Sequence, residues 1–347
     1  VDGAVAGCVQ VMVGRRVAGL APGPATSTAP LAFTADSVDT MTAPPAAEWR
    51  WTDRRCLMAR KPVTVPAVRA RKARRGDDPL VMVTAYDAPG ARMADEAGVD
   101  LLLVGDSLAM VVLGYDDTLQ VTVADIAHHT AAVGRAKPGA LVVADLPWLS
   151  YHVSVPDTVQ NAAILIRAGA QAVKLEGGAK RLPMVDALVA AEIPVMGHLG
   201  LTPQSVLAMG GFKVQGKSED AALNLIADAK ALEAAGVFAI VLEGVPDEVA
   251  AMVTDAVDVP TIGIGAGVHC DGQVLVYHDV LGIEDRIAPK FVRRYATIKA
   301  DTVQALAAYA ADVRSGAFPG PEESYHLTGE VAESLELYGR AVNSPAG

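Results

Sequence analysis

The sequence predicts an α/β protein folded as a closed (β/α)8 TIM barrel. Three observations carry that prediction. A phrase made of a helix, an Ala-Gly pair and an apolar run recurs along the chain. Eight apolar runs that suit strands follow Pro79, and polar residues gather at their ends.

The phrase reads "ADEAGVDLLLVGD" up to Asp106, "IRAGAQAVKLEGG" up to Gly178 and "LEAAGVFAIVLEG" up to Gly244. Its glycine suits a left-handed helix C-cap, and its apolar run suits a strand covered on both faces. "GALVVADLPW", "AAEIPVMGHLG" and "VDVPTIGIGAG" are variants. The strands are expected at 80–85, 101–105, 140–145, 172–176, 194–198, 238–243, 261–264 and 273–278. Between them lie helix patterns such as "KSEDAALNLIADAKALEAAG", with Ser218 as N-cap and Leu225, Ala229 and Leu232 on one stripe. Strands alternating with helices mean parallel βαβ units. Eight of them over about 200 residues favour a closed barrel, with an open doubly wound sheet as the alternative.

Composition narrows the function classes. The chain has 347 residues and a formal net charge of −11, which argues against binding nucleic acid or an anionic membrane. No apolar run reaches the ~18–20 residues that span a bilayer, so the chain reads as soluble. Cys8, Cys56 and Cys270 are scattered and form no metal-finger spacing, which fits a reducing cytosol. Nine Lys or Arg between Arg54 and Arg75 read as a solvated basic face or arm. Residues 1–57 are rich in Ala, Gly, Pro, Ser and Thr and read as a disordered extension ahead of a start at Met58. Within it "VAGC" lacks the basic start and apolar stretch of a lipoprotein signal. Residues 58–327 read as the catalytic barrel with its C-terminal helices, and 328–347 as a tail.

In a parallel barrel, chemistry gathers at the carboxyl ends of the strands. Those ends carry Asp106 and Ser107, Asp145, Lys174 and Glu176, His198, and Glu243. In "QAVKLEGG" strand alternation aims Lys174 and Glu176 the same way, inward, while Val173 and Leu175 face the helices. Asp106, Asp145 and Glu176 bring three carboxylates to one rim, where each must protonate or find a cation. Oxygen ligands favour a hard ion, so Mg²⁺ leads, with Mn²⁺ second; His198 as a ligand would move the choice toward zinc. Glu243 stands apart as a candidate general base for a proton beside a polarised carbonyl. Lys174 and Ser107 are placed to hold a substrate carboxylate or enolate oxygen.

Two motifs mislead. "GFKVQGKS" (Gly211 to Ser218) spells a phosphate-binding loop, but "LTPQSVLAMG" separates it from the preceding strand. It reads instead as a long catalytic-face loop. "GIGAG" (Gly263 to Gly267) lacks dinucleotide-loop spacing, and its glycines read as room for close approach at the barrel mouth. His128 and His129 share a helix and point about 100° apart, one toward solvent and one partly into the core.

The long ordered motifs "VTAYDAPGARMADEAGVDLLLVGDSLAMV", "ADLPW", "VKLEGG", "GHLGLTPQSV", "GGFKVQGK", "DGQVLVYHDVLGI" and "FPGPEESYH" closely resemble the ketopantoate hydroxymethyltransferase family over roughly residues 62–327. That resemblance implies a barrel akin to the phosphoenolpyruvate mutase and isocitrate lyase group. It implies hydroxymethyl transfer from 5,10-methylenetetrahydrofolate to 3-methyl-2-oxobutanoate, giving 2-dehydropantoate for pantothenate and coenzyme A. By motif, Asp106, Asp145 and Glu176 match the metal-binding carboxylates. Ser107, Lys174 and His198, with Asp106 and Asp145, match the substrate contacts. Glu243 matches the proton-abstracting base. The resemblance also implies Mg²⁺, a cytoplasmic enzyme and a homodecamer. A related lyase or mutase acting on a 2-oxo acid, a phosphotransferase and a non-catalytic barrel are the competing readings.

Overall fold

A computed structural model describes residues 61–74, 78–286 and 289–342. The expected extension at 1–57 and the start at Met58 lie outside them. Eight parallel strands close into a barrel in sequential order. They are β1 (Leu80–Thr84), β2 (Leu101–Val104), β3 (Leu141–Asp145), β4 (Ala172–Glu176), β5 (Val195–Gly200), β6 (Ala239–Glu243), β7 (Thr261–Ile264) and β8 (Gly272–Leu275). Helices Ala88–Glu96, Val123–Arg135, Val155–Ala168, Leu182–Ala190, Glu219–Ala234 and Asp247–Ala256 fill the connections from β1 to β7.

The recurring Ala-Gly pair does what its chemistry suggests. Gly169 adopts φ 119° as the left-handed C-cap of Val155–Ala168, and the chain then turns into β4. At the other end of such a unit, Ser218 accepts from the Ala221 N–H and starts Glu219–Ala234. Leu225, Ala229 and Leu232 are the buried stripe of that helix, as their spacing predicts.

Strand alternation sorts the core into two shells. Inside the barrel, Met82, Leu101, Leu103, Leu141, Val143, Met196, Val241 and Ile262 pack together. Outside it, Leu102, Val142, Val173, Leu175, Ile240 and Leu242 meet helix residues such as Ile126, Leu165, Leu188 and Leu232. At the carboxyl ends of the strands the interior packing gives way to polar side chains, and there the site forms.

One element departs from expectation. The eighth strand stops at Leu275 rather than reaching residue 278. There the Tyr277 N–H donates to the Thr84 hydroxyl of β1 at 2.9 Å, and a short helix, Tyr277–Val280, begins. The apolar letters Val276 and Tyr277 extend the run without extending the ladder. Residues 265–271 join β7 to β8 without a helix. Both strands are only four residues long, so this short link can span the return.

The basic stretch is also not a solvated face throughout. Helix Val65–Arg69 and the turn Ala70–Arg74 lie at the amino-terminal end of the barrel, with Val68 fully buried among the inner residues. Arg71 pairs with Asp78 at 2.8 Å and Asp100 at 3.4 Å. Lys72 pairs with buried Asp271 at 2.9 Å and donates to the Thr254 carbonyl at 2.7 Å. Asp78, Asp100 and Asp271 immediately precede β1, β2 and β8, so the positive charge closes the base of the barrel. Removing Lys72 would leave Asp271 buried without its ion-pair partner.

Past β8, helix Ile298–Ser315 has no buried residue, and Val303, Leu306 and Val313 are exposed along it. The segment expected as a tail contains a second helix, Gly329–Val342.

Candidate active site

The strand ends converge as alternation requires. Asp145 stands opposite Lys174 across β3 and β4, Glu176 opposite His198 across β4 and β5, and Gly200 opposite Glu243 across β5 and β6. Asp106 and Ser107 follow β2 in the turn that opens helix Leu108–Val111. All seven predicted residues line one cavity of about 1150 Å³.

The inner end of this cavity is charged and almost closed to solvent. Lys174 Nζ lies 2.9 Å from Asp145 Oδ1 and 3.4 Å from His198 Nδ1. His198 Nδ1 is 3.4 Å from Glu176 Oε1, and its Nε2 is 3.3 Å from Glu243 Oε2. Lys174 is thus ion-paired with Asp145, and His198 stands between the two glutamates. Asp145 Oδ1, Glu176 Oε1 and His198 Nε2 are fully buried, with these charged neighbours as their close contacts. Glu243 is the most open of the four carboxylates, its side chain 16% exposed against 3% for Asp145 and Glu176.

Burial and crowding shift the acid–base balance of the cluster. Burial, then the Asp145 and Glu176 charges, push the Asp106 carboxyl well above the usual carboxylate range. Burial raises Asp145 too, although Lys174 pulls it back. Burial disfavours the Lys174 ammonium, but the Asp145, Glu176 and Asp106 charges outweigh it and hold the lysine above its ordinary value. Burial and Lys174 pull His198 down, yet Glu176 and Glu243 carry it up to about 9. Each of these shifts favours the proton-bound form, so the cluster gathers positive charge. A divalent cation supplies the same charge in one point.

Gln204, Tyr151 and Tyr86 are site residues that sequence reasoning missed. Gln204 Nε2 donates to Asp106 Oδ2 at 2.8 Å, and its backbone N–H donates to Glu176 Oε2 at 3.0 Å. Tyr151 donates to Gln204 Oε1 at 2.7 Å. Tyr86 Oη lies 2.8 Å from Ser107 Oγ. Gln204 and Tyr86 belong to the motifs "GHLGLTPQSV" and "VTAYDAP", but neutral side chains in loops carry no charge signal of their own.

The decoy motifs resolve physically. Between β5 and "GFKVQGKS" lie a 3₁₀ turn, Pro203–Ser205, and a short helix, Val206–Met209, so no strand feeds the phosphate-loop letters. Phe212 and Val214 of that segment instead wall the outer cavity. In "GIGAG", a side chain at Gly267 would run into the Asp247 carboxylate, and φ 76° further favours glycine there. His128 is exposed, while half-buried His129 bonds the Tyr86 carbonyl at 2.6 Å.

A family profile described as ketopantoate hydroxymethyltransferase matches residues 62–321. The chain belongs to that family. It is 58% identical over 270 residues to the 3-methyl-2-oxobutanoate hydroxymethyltransferase of Moorella thermoacetica, covering 78% of this chain and 100% of the relative. It is 57% identical over 275 residues to the Methylobacterium sp. enzyme of the same name, covering 79% of this chain and 94% of that one. Among solved structures, a phosphonopyruvate hydrolase complexed with oxalate and Mg²⁺ superposes with TM-score 0.50 at 16% identity, over 81% of this chain and 98% of the other. A 2,3-dimethylmalate lyase described as a PEP mutase/isocitrate lyase superfamily member gives TM-score 0.46 at 16% identity, over 80% and 98%. Such distant likeness concerns the fold.

For a member of the ketopantoate hydroxymethyltransferase family the donor set can be tested for a metal. Among the described residues no three His, Cys, Asp or Glu side chains converge into a ready cage. Lys174 sits against Asp145, and Gln204 holds one oxygen of Asp106. Mg²⁺ does not need such a cage, because it is usually held by one or two carboxylates plus water and substrate oxygens. Buried Asp145 Oδ1, which faces Lys174, and Glu176 Oε1, which faces His198 at 3.4 Å, are hard oxygen donors of that kind. The residues fit a magnesium-type ion better than zinc, whose N/S preference finds one histidine already placed between two glutamates.

Proposed function

We propose that the chain transfers a hydroxymethyl group from 5,10-methylenetetrahydrofolate to 3-methyl-2-oxobutanoate, forming 2-dehydropantoate for pantothenate and coenzyme A synthesis. What carries the proposal is the convergence of Asp106, Ser107, Asp145, Lys174, Glu176, His198 and Glu243 on one cavity in a chain of this family. Asp106, Asp145 and Glu176 are assigned to Mg²⁺. When bound, the ion supplies Lewis-acid polarisation of the keto group and offsets charge developing on its oxygen. Lys174, Ser107 and His198, with Asp106 and Asp145, orient the keto acid through its carboxylate and keto oxygens. Glu243, the least enclosed carboxylate, takes the C3 proton. The resulting C3 carbanion forms the new bond to the folate methylene carbon as one of its C–N bonds breaks; water then replaces the second C–N bond with the hydroxyl, and tetrahydrofolate leaves with its two nitrogens carrying the proton taken from C3 and one from the water.

The cavity's size supports a two-reactant site. So small a keto acid leaves most of about 1150 Å³ free, and Tyr115, Phe212, Val214 and Phe291 give the outer part apolar and aromatic walls suited to a flat heterocycle. The test is 2-dehydropantoate formation. It is expected to require 3-methyl-2-oxobutanoate, methylenetetrahydrofolate and a divalent ion together. Product formation without the folate donor would contradict the proposal.

The same reading makes the protein a cytoplasmic homo-oligomer, a decamer by family resemblance. Among the described residues no helix is long and apolar enough to cross a membrane. The exposed Val303, Leu306 and Val313 of Ile298–Ser315, and Val81 of β1 at 51% exposure, support association with further copies. The net charge of −11 supports small-molecule rather than nucleic-acid partners.

A further inference from the structure

Each carboxylate of the inner cluster has one oxygen tied down. Asp145 Oδ2 accepts from the Asp106 backbone N–H at 3.0 Å. Asp106 Oδ2 accepts from Gln204 Nε2 at 2.8 Å. Glu176 Oε2 accepts from the Gln204 backbone N–H at 3.0 Å. Two of the three bonds come from one residue. Gln204 is 5% exposed and lies in the turn after β5, on a different connection from either carboxylate.

The orientation of its amide is forced. Nε2 faces Asp106 Oδ2 and, at 3.0 Å, the Leu146 carbonyl. Both are acceptors, so the nitrogen must stand there. Oε1 then receives the Tyr151 hydroxyl at 2.7 Å, and that hydroxyl in turn accepts from the Glu176 backbone N–H at 3.2 Å. A continuous path runs from Glu176 through Tyr151 and Gln204 to Asp106.

We infer that Gln204 is the positioning residue of the carboxylate cluster: it pins one oxygen each of Asp106 and Glu176 and so leaves their other oxygens to bind a divalent cation singly. Tyr151 locks the amide in the orientation that does this. The inference rests on the metal-assisted reading above and adds a residue that acts through the ligands. Fixing ligands from behind spares the site the entropy of ordering them when the ion arrives. Single-oxygen ligation leaves coordination positions for substrate and water, as a small octahedral ion requires.

The test is Mn²⁺ binding to the protein without substrates, read as loss of the free-ion electron paramagnetic resonance signal, with urea unfolding run alongside. Gln204→Met keeps the side-chain length and removes the amide. It is expected to raise the Mn²⁺ dissociation constant by about 10–100-fold. Tyr151→Phe leaves Gln204 in place but frees its amide, and a smaller rise in the same direction is expected. A folded Gln204→Met protein with wild-type Mn²⁺ affinity overturns the inference, even if its unfolding midpoint falls, because that is a packing role only. If Gln204→Met does not fold, Tyr151→Phe decides: raised dissociation supports the inference and unchanged dissociation overturns it. Wild-type protein that binds no Mn²⁺ would remove the metal reading itself, a result distinct from unchanged affinity in the variants.

Discussion

Glu243→Gln is expected to slow deuterium exchange at C3 of 3-methyl-2-oxobutanoate by about 10²–10⁴-fold, the usual range for loss of a general base. The glutamine has the same shape and removes only the carboxylate. Glu243 ends β6, away from the Asp145–Lys174 pair between β3 and β4. Keto-acid binding, measured by calorimetry, should therefore change little, and Mn²⁺ affinity should hold. The separation matters because His198 also contacts Glu243 at 3.3 Å. A variant that lost binding and exchange equally would point to a collapsed pocket. One that exchanged C3 at the wild-type rate would remove Glu243 from the role of base.

Asp145→Asn carries the second large effect. Its Oδ1 is a proposed cation ligand, and two unit charges about 4 Å apart in an effective dielectric of about 20 interact by about 4 kcal/mol, a lower bound for a divalent ion in direct contact. Loss of that charge should weaken Mg²⁺ about a thousandfold, seen as a shift of the metal-activation curve to higher concentration. The folded state should suffer as well. The new amide can still accept from the Asp106 N–H only by turning its NH₂ toward Lys174, where a buried ammonium then meets a donor. Breaking such a pair costs about 3–5 kcal/mol, so the thermal midpoint should fall. An unchanged metal-activation curve would count against Asp145 as a ligand.

Much of the site was legible because strand periodicity is simple. Lys174 and Glu176 sit two apart in an apolar run, so one direction serves both, and the barrel turns that direction inward. The same logic placed Asp145, His198 and Glu243 at the mouth. It could not tell which carboxylate oxygens are already held. Three acids on a rim suggested a common metal site, whereas Lys174 occupies one side of Asp145 and Gln204 one side of Asp106. Gln204 itself is silent in the sequence, since an uncharged amide in a polar turn looks like any loop residue. The basic stretch misled for a related reason. Besides nearby Asp78, the partners of Arg71 and Lys72 are Asp100 and Asp271, farther along the chain, and closure of the barrel brings these under it. At β8 the apolar letters continue past the strand because a hydroxyl on the neighbouring strand, Thr84, ends the ladder.

If the inner cluster activates the keto acid by itself and the outer cavity brings the one-carbon donor, C3 exchange needs no folate. The direct measurement is proton NMR of 3-methyl-2-oxobutanoate in D₂O with wild-type protein and Mg²⁺, in the absence of folate. The account predicts loss of the C3 proton signal, abolished when a chelator removes the ion. A C3 proton that persists until methylenetetrahydrofolate is added, or that exchanges equally fast in chelator, would contradict it.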